Sequence, residues 1–294
     1  MRLSFGGSRI NYVIGNRIET IDGYDVRMGM TTYGDLLKQW RTTRGVSQLD
    51  LATRAGVSQR HVSFLETGRS RPSPEMVTHL GITLDAPPRE RNRMLLAAGY
   101  APGHSETPLE ELDDVTKVLG VILESHMPNP AFVIDRRWNL ALANQAATVL
   151  TGLLFPTPPS WIEPPLNVMR LSFHPDGMRP HMEDWEKTAS FLLRRLERDA
   201  ASHPGDEGLQ DLLAEMLDYP DVAELREVTM LPSADELLVT ATYNLAGKTV
   251  SFFTTISVIG DAHDLTLAEL RLETFWPADA ESNERWTALT SGLL

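Results

Sequence analysis

The chain has 294 residues, which is too long for one small domain and comfortable for two. Hydrophobic residues make up 42% and charged residues 23%, no run approaches the ~20 uninterrupted apolar residues of a membrane helix, and no secretory signal pattern opens the chain. The absence of cysteine excludes disulfides, thiolate metal ligands and cysteine nucleophiles. We therefore expect a globular, cytoplasmic protein without a membrane partner.

The net charge of −13 is unevenly distributed along the chain. Residues 31–104 hold ten Lys/Arg and six Asp/Glu, a formal charge of +4, whereas residues 105–294 hold thirteen and thirty-one, a charge of −18. Such a division is compatible with a basic module that contacts phosphates and an acidic module that stays away from them. On charge alone, an accident of surface composition explains the division equally well.

Residues 1–30 show neither a helical period nor a clean strand alternation. The segment ends in Met28-Gly29-Met30, directly before a helix signal at Thr32. We expect an arm that is either disordered or the result of an over-extended start, with Met28 or Met30 as the native first residue. Mass spectrometry of the native N-terminus would test this expectation.

Residues 31–104 predict a bundle of five short helices. The first places Tyr33, Leu36, Leu37 and Trp40 at the i, i+3, i+4, i+7 spacing of one helix face. The predicted N-caps are Ser47, Ser58 and Ser73, the predicted stops are Gly45, Gly56, Gly68 and Gly99, and Pro87-Pro88 begins the fifth helix. Because helices of this length do not persist alone, they must pack together as a domain.

Residues 105–128 predict a linker that carries an amphipathic helix. Its apolar side consists of Leu109, Leu112, Leu119, Ile122 and Leu123, and the helix stops before Pro128. This helix is the natural transmitter between the bundle and the rest of the chain.

Residues 129–294 predict an α+β domain. The predicted strands are Ala131–Ile134, Trp138–Leu142, Leu225–Leu231, Glu236–Asn244, Thr249–Ile259 and Ala268–Trp276, with a turn at residues 245–248. The predicted helices run from Asn144 to Leu154, from Met182 to Leu196 and from Leu209 to Met216, and the proline-rich residues 155–165 are a loop. Short sequential strands with inserted helices favour an antiparallel sheet with helices on one face. The fold class is thus multidomain, an all-α five-helix bundle followed by an α+β domain.

The most specific motif lies within the bundle and spans residues 47–69. Gly56 suits a turn that needs a left-handed backbone, Ser58 caps the following helix, and Val62 and Leu65 bury that helix. The side chains left outward are Gln59, Arg60, His61, Ser63 and Phe64. An exposed helix face with such hydrogen-bond donors, acceptors and one apolar ring can contact base edges in a major groove.

Three of these side chains have a natural base partner. Gln59 can bond adenine through two hydrogen bonds, Arg60 can bond guanine, and Phe64 can contact a thymine methyl group. A helical protein-interaction domain that uses the same bundle is the alternative. An acidic outward face would favour that alternative, whereas this face carries Arg60 and neutral polar groups.

This stretch resembles the lambda-repressor-like, or XRE-type, helix-turn-helix family, through Ser47-Gln48, Leu51-Ala52, Ala55-Gly56-Val57-Ser58, Val62-Ser63 and Leu65-Glu66-Thr67-Gly68. The resemblance implies that Gln48 binds a phosphate and supports the recognition helix, that Arg69 and Arg71 approach the DNA backbone, and that Glu66 pairs with an arginine, for which Arg54 is a candidate. The complete predicted DNA-binding set is Gln48, Ser58, Gln59, Arg60, His61, Ser63, Phe64, Arg69 and Arg71. The partner is double-stranded DNA, and weak binding by one small domain predicts a homodimer.

The second region resembles the MmyB-like regulators, whose ligand-binding domain has a PAS-like fold. The matching residues are Pro130–Leu140, Ala143–Ala147, Asn167–Phe173 and Asp184–Glu186. The resemblance implies an apolar cavity for a small hydrophobic molecule such as a fatty acid, and no other cofactor. The alternative is that this domain only dimerises or binds a partner protein.

Five residues of this region are the predicted ligand-binding set: Trp138, Asn144, Arg170, Phe173 and Trp185. The aromatic rings would be cavity walls, and Arg170 or Asn144 would anchor a polar head. Their alternative roles are core packing and helix capping. His174, His181 and His203 do not share a metal-ligand spacing, and we find no nucleophile elbow, phosphate loop or zinc-helix pattern. We therefore expect neither a metal site nor an enzyme.

Overall fold

The computed structural model describes residues 31–226, 240–260, 262 and 264–294, together with the backbone of three short strands before them. The chain divides into two compact units, one of residues 1–85 and 93–101, the other of residues 86–92 and 102–294. The predicted linker helix therefore belongs to the second unit. The described elements confirm the predicted fold class, a helical bundle followed by an antiparallel sheet with helices.

The three N-terminal strands form an antiparallel sheet in the order β1 (Ser4–Gly6), β2 (Arg9–Ile14) and β3 (Arg17–Asp22). The sequence predicts no regular element here, although Gly15-Asn16, a pair typical of two-residue hairpin connections, stands between β2 and β3. The remainder of the predicted arm, including Met28 and Met30, lies outside the described residues.

The five predicted helices of the bundle are confirmed. They are α1 (Tyr33–Thr43), α2 (Gln48–Ala55), α3 (Gln59–Glu66), α4 (Pro74–Thr83) and α5 (Pro88–Ala97). The hydroxyls of Ser47, Ser58 and Ser73 accept hydrogen bonds from backbone amides of α2, α3 and α4, as predicted for caps. The division between the two units falls within α5.

The first turn of α1 lies against the last turn of α3. A Cβ atom added to Gly34 would be 2.5 Å from the backbone oxygen of Glu66 and 2.8 Å from that of Leu65. Glycine is therefore the residue that allows this approach, and the end of α3 is seated on α1.

The second unit contains a six-stranded antiparallel sheet in the order β5-β4-β9-β8-β7-β6. Its strands are β4 (Ala131–Ile134), β5 (Leu140–Ala143), β6 (Met182–Glu183), β7 (Thr240–Leu245), β8 (Lys248–Val258) and β9 (Arg271–Pro277). Ala246 and Gly247 join β7 to β8 with φ angles of 49° and 79°, as a two-residue hairpin turn requires.

Helices cover both faces of this sheet, whereas the sequence predicted helices on one face only. They are α6 (Asp113–Ser125), α7 (Gln145–Leu154), α8 (Val168–Phe173), α9 (Trp185–Ser202), α10 (Glu207–Asp218), α11 (Leu265–Glu269) and α12 (Ala280–Thr290). Leu119 and Leu123 of α6 pack on Ala131 and Val133, whose side chains leave β4 on the face opposite to Phe132. The predicted linker helix is thus part of the core of the second unit.

Other boundaries also differ from the prediction. Met182 lies in β6 rather than in a helix, Ala268 lies in α11 rather than in a strand, and Leu225 lies in a 3₁₀ turn, Ala223–Arg226. Residues 227–239 lie outside the described part, so most of that predicted strand is not assessed. Helices α8 and α12 were not predicted, and α12 buries Trp286 completely.

Candidate DNA-reading helix and ligand cavity

The carboxylate of Glu66, at the end of α3, is held by side chains from two neighbouring helices. Arg41 of α1 donates from Nε to Oε1 at 2.6 Å and from Nη2 to Oε2 at 3.1 Å. Gln48 of α2 donates from Nε2 to Oε2 at 2.7 Å. The pair is buried, with Arg41 12% and Glu66 3% exposed, and the hydrogen bond that Arg41 donates to Glu66 raises the pKa of Arg41. Three helices are therefore fixed to one another through one carboxylate.

This network corrects the expected partner of Glu66, which is Arg41 and not Arg54. Arg54 is exposed on the last turn of α2, whereas the close packing of α1 on α3 brings Arg41 to the carboxylate. Arg41 precedes residues 47–69, so the motif itself gives no indication of this partner.

The outward surface of α3 is open to solvent in the first unit. Gln59 and Arg60 are exposed, and His61 and Ser63 are half-buried. Val62 and Leu65 are 0% and 1% exposed, so the opposite side of the helix is anchored in the core. The predicted base-reading side chains therefore lie together on the accessible side of a short, firmly seated helix.

Phe64 lies between two of the predicted arginines. The guanidinium carbon of Arg60 is 5.0 Å from its ring centroid, and that of Arg69 is 5.9 Å away. Stacking on an aromatic ring restricts where a guanidinium group points. The ring therefore brings Arg60 of α3 and Arg69 of the following turn to one surface.

The remaining predicted residues have structural partners of their own. Ser58 Oγ accepts from the His61 backbone amide at 3.1 Å, so this hydroxyl acts as the α3 cap. Gln48 supports the recognition helix through Glu66, as the family resemblance implied. Arg71 is an exposed residue whose guanidinium carbon lies 5.5 Å from the centroid of the Tyr100 ring.

The second unit encloses a cavity of about 460 Å³. Its walls are mainly apolar and come from both helices and sheet. They include Phe132, Leu150, Leu154, Leu171, Phe252 and Phe275. A volume in this range with mostly apolar walls is typical of a small-molecule site.

Three charged side chains line the cavity: Arg195, Arg198 and Glu273. Arg195 Nη1 donates to Glu273 Oε1 at 2.5 Å, and the two side chains are 17% and 7% exposed. Arg195 Nη2 is also buried, and it has no hydrogen-bond partner among the described residues. Arg198 lies one turn further along α9 and is exposed.

Hydroxyl groups add neutral polarity to the lining, among them Thr188, Tyr243 and Thr254. Burial raises the pKa of Tyr243 well above its usual range, and the charge of Glu273 acts in the same direction. The phenol therefore stays protonated and keeps its ability to donate a hydrogen bond.

None of the five predicted ligand-binding residues lines this cavity, which corrects the sequence-based assignment. Trp138, Phe173 and Trp185 belong to a neighbouring core cluster. The Trp138 indole donates to Asp199 at 3.2 Å, and the Trp185 indole donates to the Ser172 carbonyl at 2.9 Å. These rings are core residues behind the cavity wall, as their alternative interpretation proposed.

Asn144 and Arg170 are also engaged elsewhere. Asn144 Oδ1 accepts from the amides of Ala131 and Ala147, and its Nδ2 donates to the carbonyls of Leu123 and Asn129. Arg170 forms a surface ion pair with Glu215 at 2.8 Å. Asn144 is thus a cap that joins α6, β4 and α7, and Arg170 is a surface residue.

The three histidines that were weighed as metal ligands lie apart from one another. His174 stacks on Trp161, His181 contacts the edge of Phe155, and His203 bonds the Asp199 carbonyl. Among the described residues no group of His, Asp and Glu could hold a metal ion. No helix in the described ranges is long and apolar enough to cross a membrane.

Two family models match the chain. A helix-turn-helix domain matches residues 32–94, and an MmyB-like transcription regulator ligand binding domain matches residues 115–289. A comparison with curated proteins gave no match. A helix-turn-helix unit followed by such a domain is the composition of a DNA-binding transcription regulator. Because the second match covers more than half of the chain, the chain belongs to the MmyB-like transcription regulator ligand binding domain family.

Proposed function

We propose that this protein is a sequence-specific DNA-binding transcription regulator that reads its operator with α3. The observation that carries the proposal is the exposure of Gln59 and Arg60 on a helix whose other side is buried and whose end is fixed through Glu66. An α-helix fits the major groove of B-DNA, and guanidinium and amide groups bond purine edges there. We infer that the protein acts in the cytoplasm, because its family match is to a DNA-binding domain of regulators.

Selection from a random DNA library tests sequence reading. The full-length protein is expected to enrich a defined site in which the preferred bases include purines that match Gln59 and Arg60. Enrichment of no site at moderate salt, or of DNA without regard to sequence, would contradict the proposal, because phosphate contacts alone give binding that lacks sequence preference.

The proposal includes a homodimer. One short helix makes few phosphate and base contacts, so a single copy binds weakly. Two copies on half-sites about one helical turn apart, ~10 base pairs, would combine their contacts. The selected site should then be a palindrome, and native mass spectrometry should show a dimer. A monomer bound to a single half-site would contradict this part.

We further propose that a small apolar ligand in the cavity of the second unit modulates operator binding. The cavity volume of about 460 Å³ and its apolar walls support this. A ligand changes an equilibrium only when it binds one state of the protein better than another. Native mass spectrometry of the purified protein should therefore show a retained small molecule, and its removal should change operator affinity.

One observation favours the alternative that the second unit only dimerises or binds a partner. Val118, Val121 and Ile122 of α6 are 59%, 70% and 41% exposed and share the outer side of that helix. A Val121→Asp variant tests this surface through the subunit number. An Ala241→Leu variant, which fills part of the cavity, tests the ligand. Loss of ligand response in Ala241→Leu with an unchanged subunit number would favour the ligand-responsive regulator.

A further inference from the structure

We propose that Phe64 is a positioning residue that holds the guanidinium groups of Arg60 and Arg69 in place for DNA, so that base reading and a phosphate contact depend on one ring. The inference rests on the proposed function of α3 and specifies how its two arginines act. The sequence predicts a different role for Phe64, a contact with a thymine methyl group, and the two roles differ in what a substitution changes.

The first argument is the spacing of Arg60 and Phe64 in α3. They lie four residues apart, so their side chains share one side of the helix, and the side chain of a helical residue leans toward the preceding turn. The Phe64 ring therefore reaches back to Arg60, whose guanidinium carbon lies 5.0 Å from the ring centroid.

The second argument is the turn that follows α3. The Phe64 carbonyl accepts hydrogen bonds from the backbone amides of Arg69 at 2.8 Å and Ser70 at 3.2 Å. Gly68, with a φ of 68°, takes the left-handed conformation that lets the chain fold back in this way. The guanidinium carbon of Arg69 thus comes to 5.9 Å from the same ring centroid. The backbone of Phe64 fixes the turn, and its ring contacts the arginine that the turn carries.

The third argument is the lack of other partners for the two arginines. In the described part of the chain, no ion pair or side-chain hydrogen bond involves the guanidinium group of Arg60 or Arg69. Both residues are exposed, and a flexible exposed side chain loses conformational freedom when it binds. Contact with the half-buried ring restricts each group beforehand and leaves its N–H donors available to DNA.

The fourth argument is the closeness of the two positive charges. The guanidinium carbons are separated by no more than the sum of their distances to the shared ring centroid. Like charges at such a separation repel each other, so they favour a partner that is negative or electron-rich over the whole distance. A guanine edge in the major groove and the phosphate of the adjacent backbone form such a partner. Arg60, within α3, then contacts the guanine, and Arg69, outside it, contacts the phosphate.

The first test is made on the full-length protein without DNA. NMR relaxation of the arginine side chains should show that the Nε–H groups of Arg60 and Arg69 are more ordered than that of Arg54. Arg54 is the matched control, because it is an exposed arginine of the same unit with no aromatic contact among the described residues. Equal mobility of the three groups would overturn the proposal, whether or not the protein binds an operator.

The second test measures binding of the full-length Phe64→Leu and Phe64→Tyr variants to the operator that the wild-type protein selects, and to its single-base variants. Phe64→Leu should bind about tenfold more weakly, because both arginines must then be ordered on binding. It should also relax the preference at the base that Arg60→Ala relaxes, and reduce the slope of log affinity against log salt concentration by about one. Phe64→Tyr retains the ring and should restore all three quantities.

Double variants show whether Phe64 acts through the arginines. In the Arg60→Ala background, Phe64→Leu should relax no further base preference, and in the Arg69→Ala background it should reduce the salt slope no further. Gln59→Ala is the matched control, because an uncharged amide forms no cation–π contact with the ring. Its loss of affinity and that of Phe64→Leu should therefore multiply to within about twofold.

The base preference separates positioning from folding, because a bundle that is only destabilised loses affinity on all sequences alike. Loss of preference at a thymine that Arg60→Ala leaves unaffected would show that the ring contacts the thymine methyl group, and would overturn the proposal. A wild-type preference and salt slope in Phe64→Leu would overturn it as well. If the wild-type protein selects no operator, the proposed function fails instead, and the side-chain order of Arg60 and Arg69 still decides the positioning role.

Discussion

The two candidate binding regions are built in opposite ways. The outward surface of α3 comes from eight consecutive residues, Gln59–Glu66, and its polar groups face solvent. The cavity is assembled from segments between Pro130 and Phe275, and the charged side chains in its lining are partly buried. A surface that depends on helix spacing is visible in the sequence, whereas a cavity that depends on strand register and long-range packing is not.

The buried ion pairs of the two regions also have different roles. The Arg41–Glu66 pair with Gln48 has its donors and acceptors satisfied by protein groups, and it holds three helices together. In the Arg195–Glu273 pair, Arg195 Nη2 is buried and has no hydrogen-bond partner within the described part of the chain. The first pair thus fixes the bundle, whereas the second leaves a buried donor next to the cavity.

The largest effect is expected from Glu66→Ala. This change leaves Arg41 buried without its carboxylate, and loss of one member of a buried pair costs about 3–5 kcal/mol. Hydrogen exchange of α3 amides should become much faster, and operator binding should fall with it. Glu75→Ala, a fully exposed acidic residue in α4, is the control and should leave exchange close to wild type. Unchanged exchange in Glu66→Ala would show that the pair does not seat α3.

The bundle could be predicted nearly completely because its signals are local. Capping serines, stop glycines and the apolar spacing in α1 each act within one or two helical turns. The partner of Glu66 was missed because α1 and α3 meet through Gly34, a contact between helices that are separate in sequence. The spacing of residues within the motif does not indicate that α1 packs closely on α3.

The next largest effect is expected from Asn144→Ala in the second unit. Four hydrogen bonds would be lost, two of them from backbone amides that stay buried, at a cost of about 3 kcal/mol. The free energy of unfolding, measured with urea, should fall accordingly. Asn283→Ala, at an exposed position in α12, is the control. A small effect at Asn144 would mean that this unit is held together less by capping than the bundle is.

Neither the sheet order nor the cavity lining could be predicted from the sequence, and the reason is the same for both. Strand β9 is inserted between β4 and β8, although about 140 residues separate the start of β4 from the start of β9. The cavity face of the sheet is defined by this insertion. Trp138 was a reasonable candidate as a large aromatic residue, but its φ of 66° in the β4–β5 turn directs it into the core behind the wall. Arg195, within an arginine-rich helix, gave no signal that distinguished it from Arg194 or Arg198.

The third prediction tests the α3 surface directly. Arg60→Ala should cost about 1–3 kcal/mol of operator binding and relax the preference at one base position. Arg69→Ala, at a residue that we propose contacts the DNA backbone, should weaken binding on all sequences alike. Binding measured on the selected operator and on single-base variants separates the two cases. A uniform loss in Arg60→Ala would show that Arg60 contacts phosphate and that base reading lies elsewhere on α3.

The fourth prediction concerns the acid stability of the second unit. Burial opposes ionisation of Asp206, but the Arg137 hydrogen bond and the charges of Arg136 and Arg137 outweigh it and lower its pKa. A carboxylate with a lowered pKa stabilises the fold above its usual pKa and loses that contribution as the pH falls. Asp206→Asn should therefore cost about 1.5 kcal/mol at neutral pH. The difference in the free energy of unfolding between the wild-type protein and Asp206→Asn, measured with urea, should decrease as the pH falls. A difference that does not depend on pH would indicate an effect of packing instead of charge.

The smallest effect, and the only expected gain, is that of Gly120→Ala in α6. A Cβ atom added to Gly120 meets nothing within 4 Å, unlike one added to Gly34, so the change removes the helix-interior cost of glycine without a clash. Unfolding should become harder by about 0.5–1 kcal/mol. The free energy of unfolding, measured with urea, checks this gain. An unchanged or lower value would show that α6 does not accept a methyl group at this position.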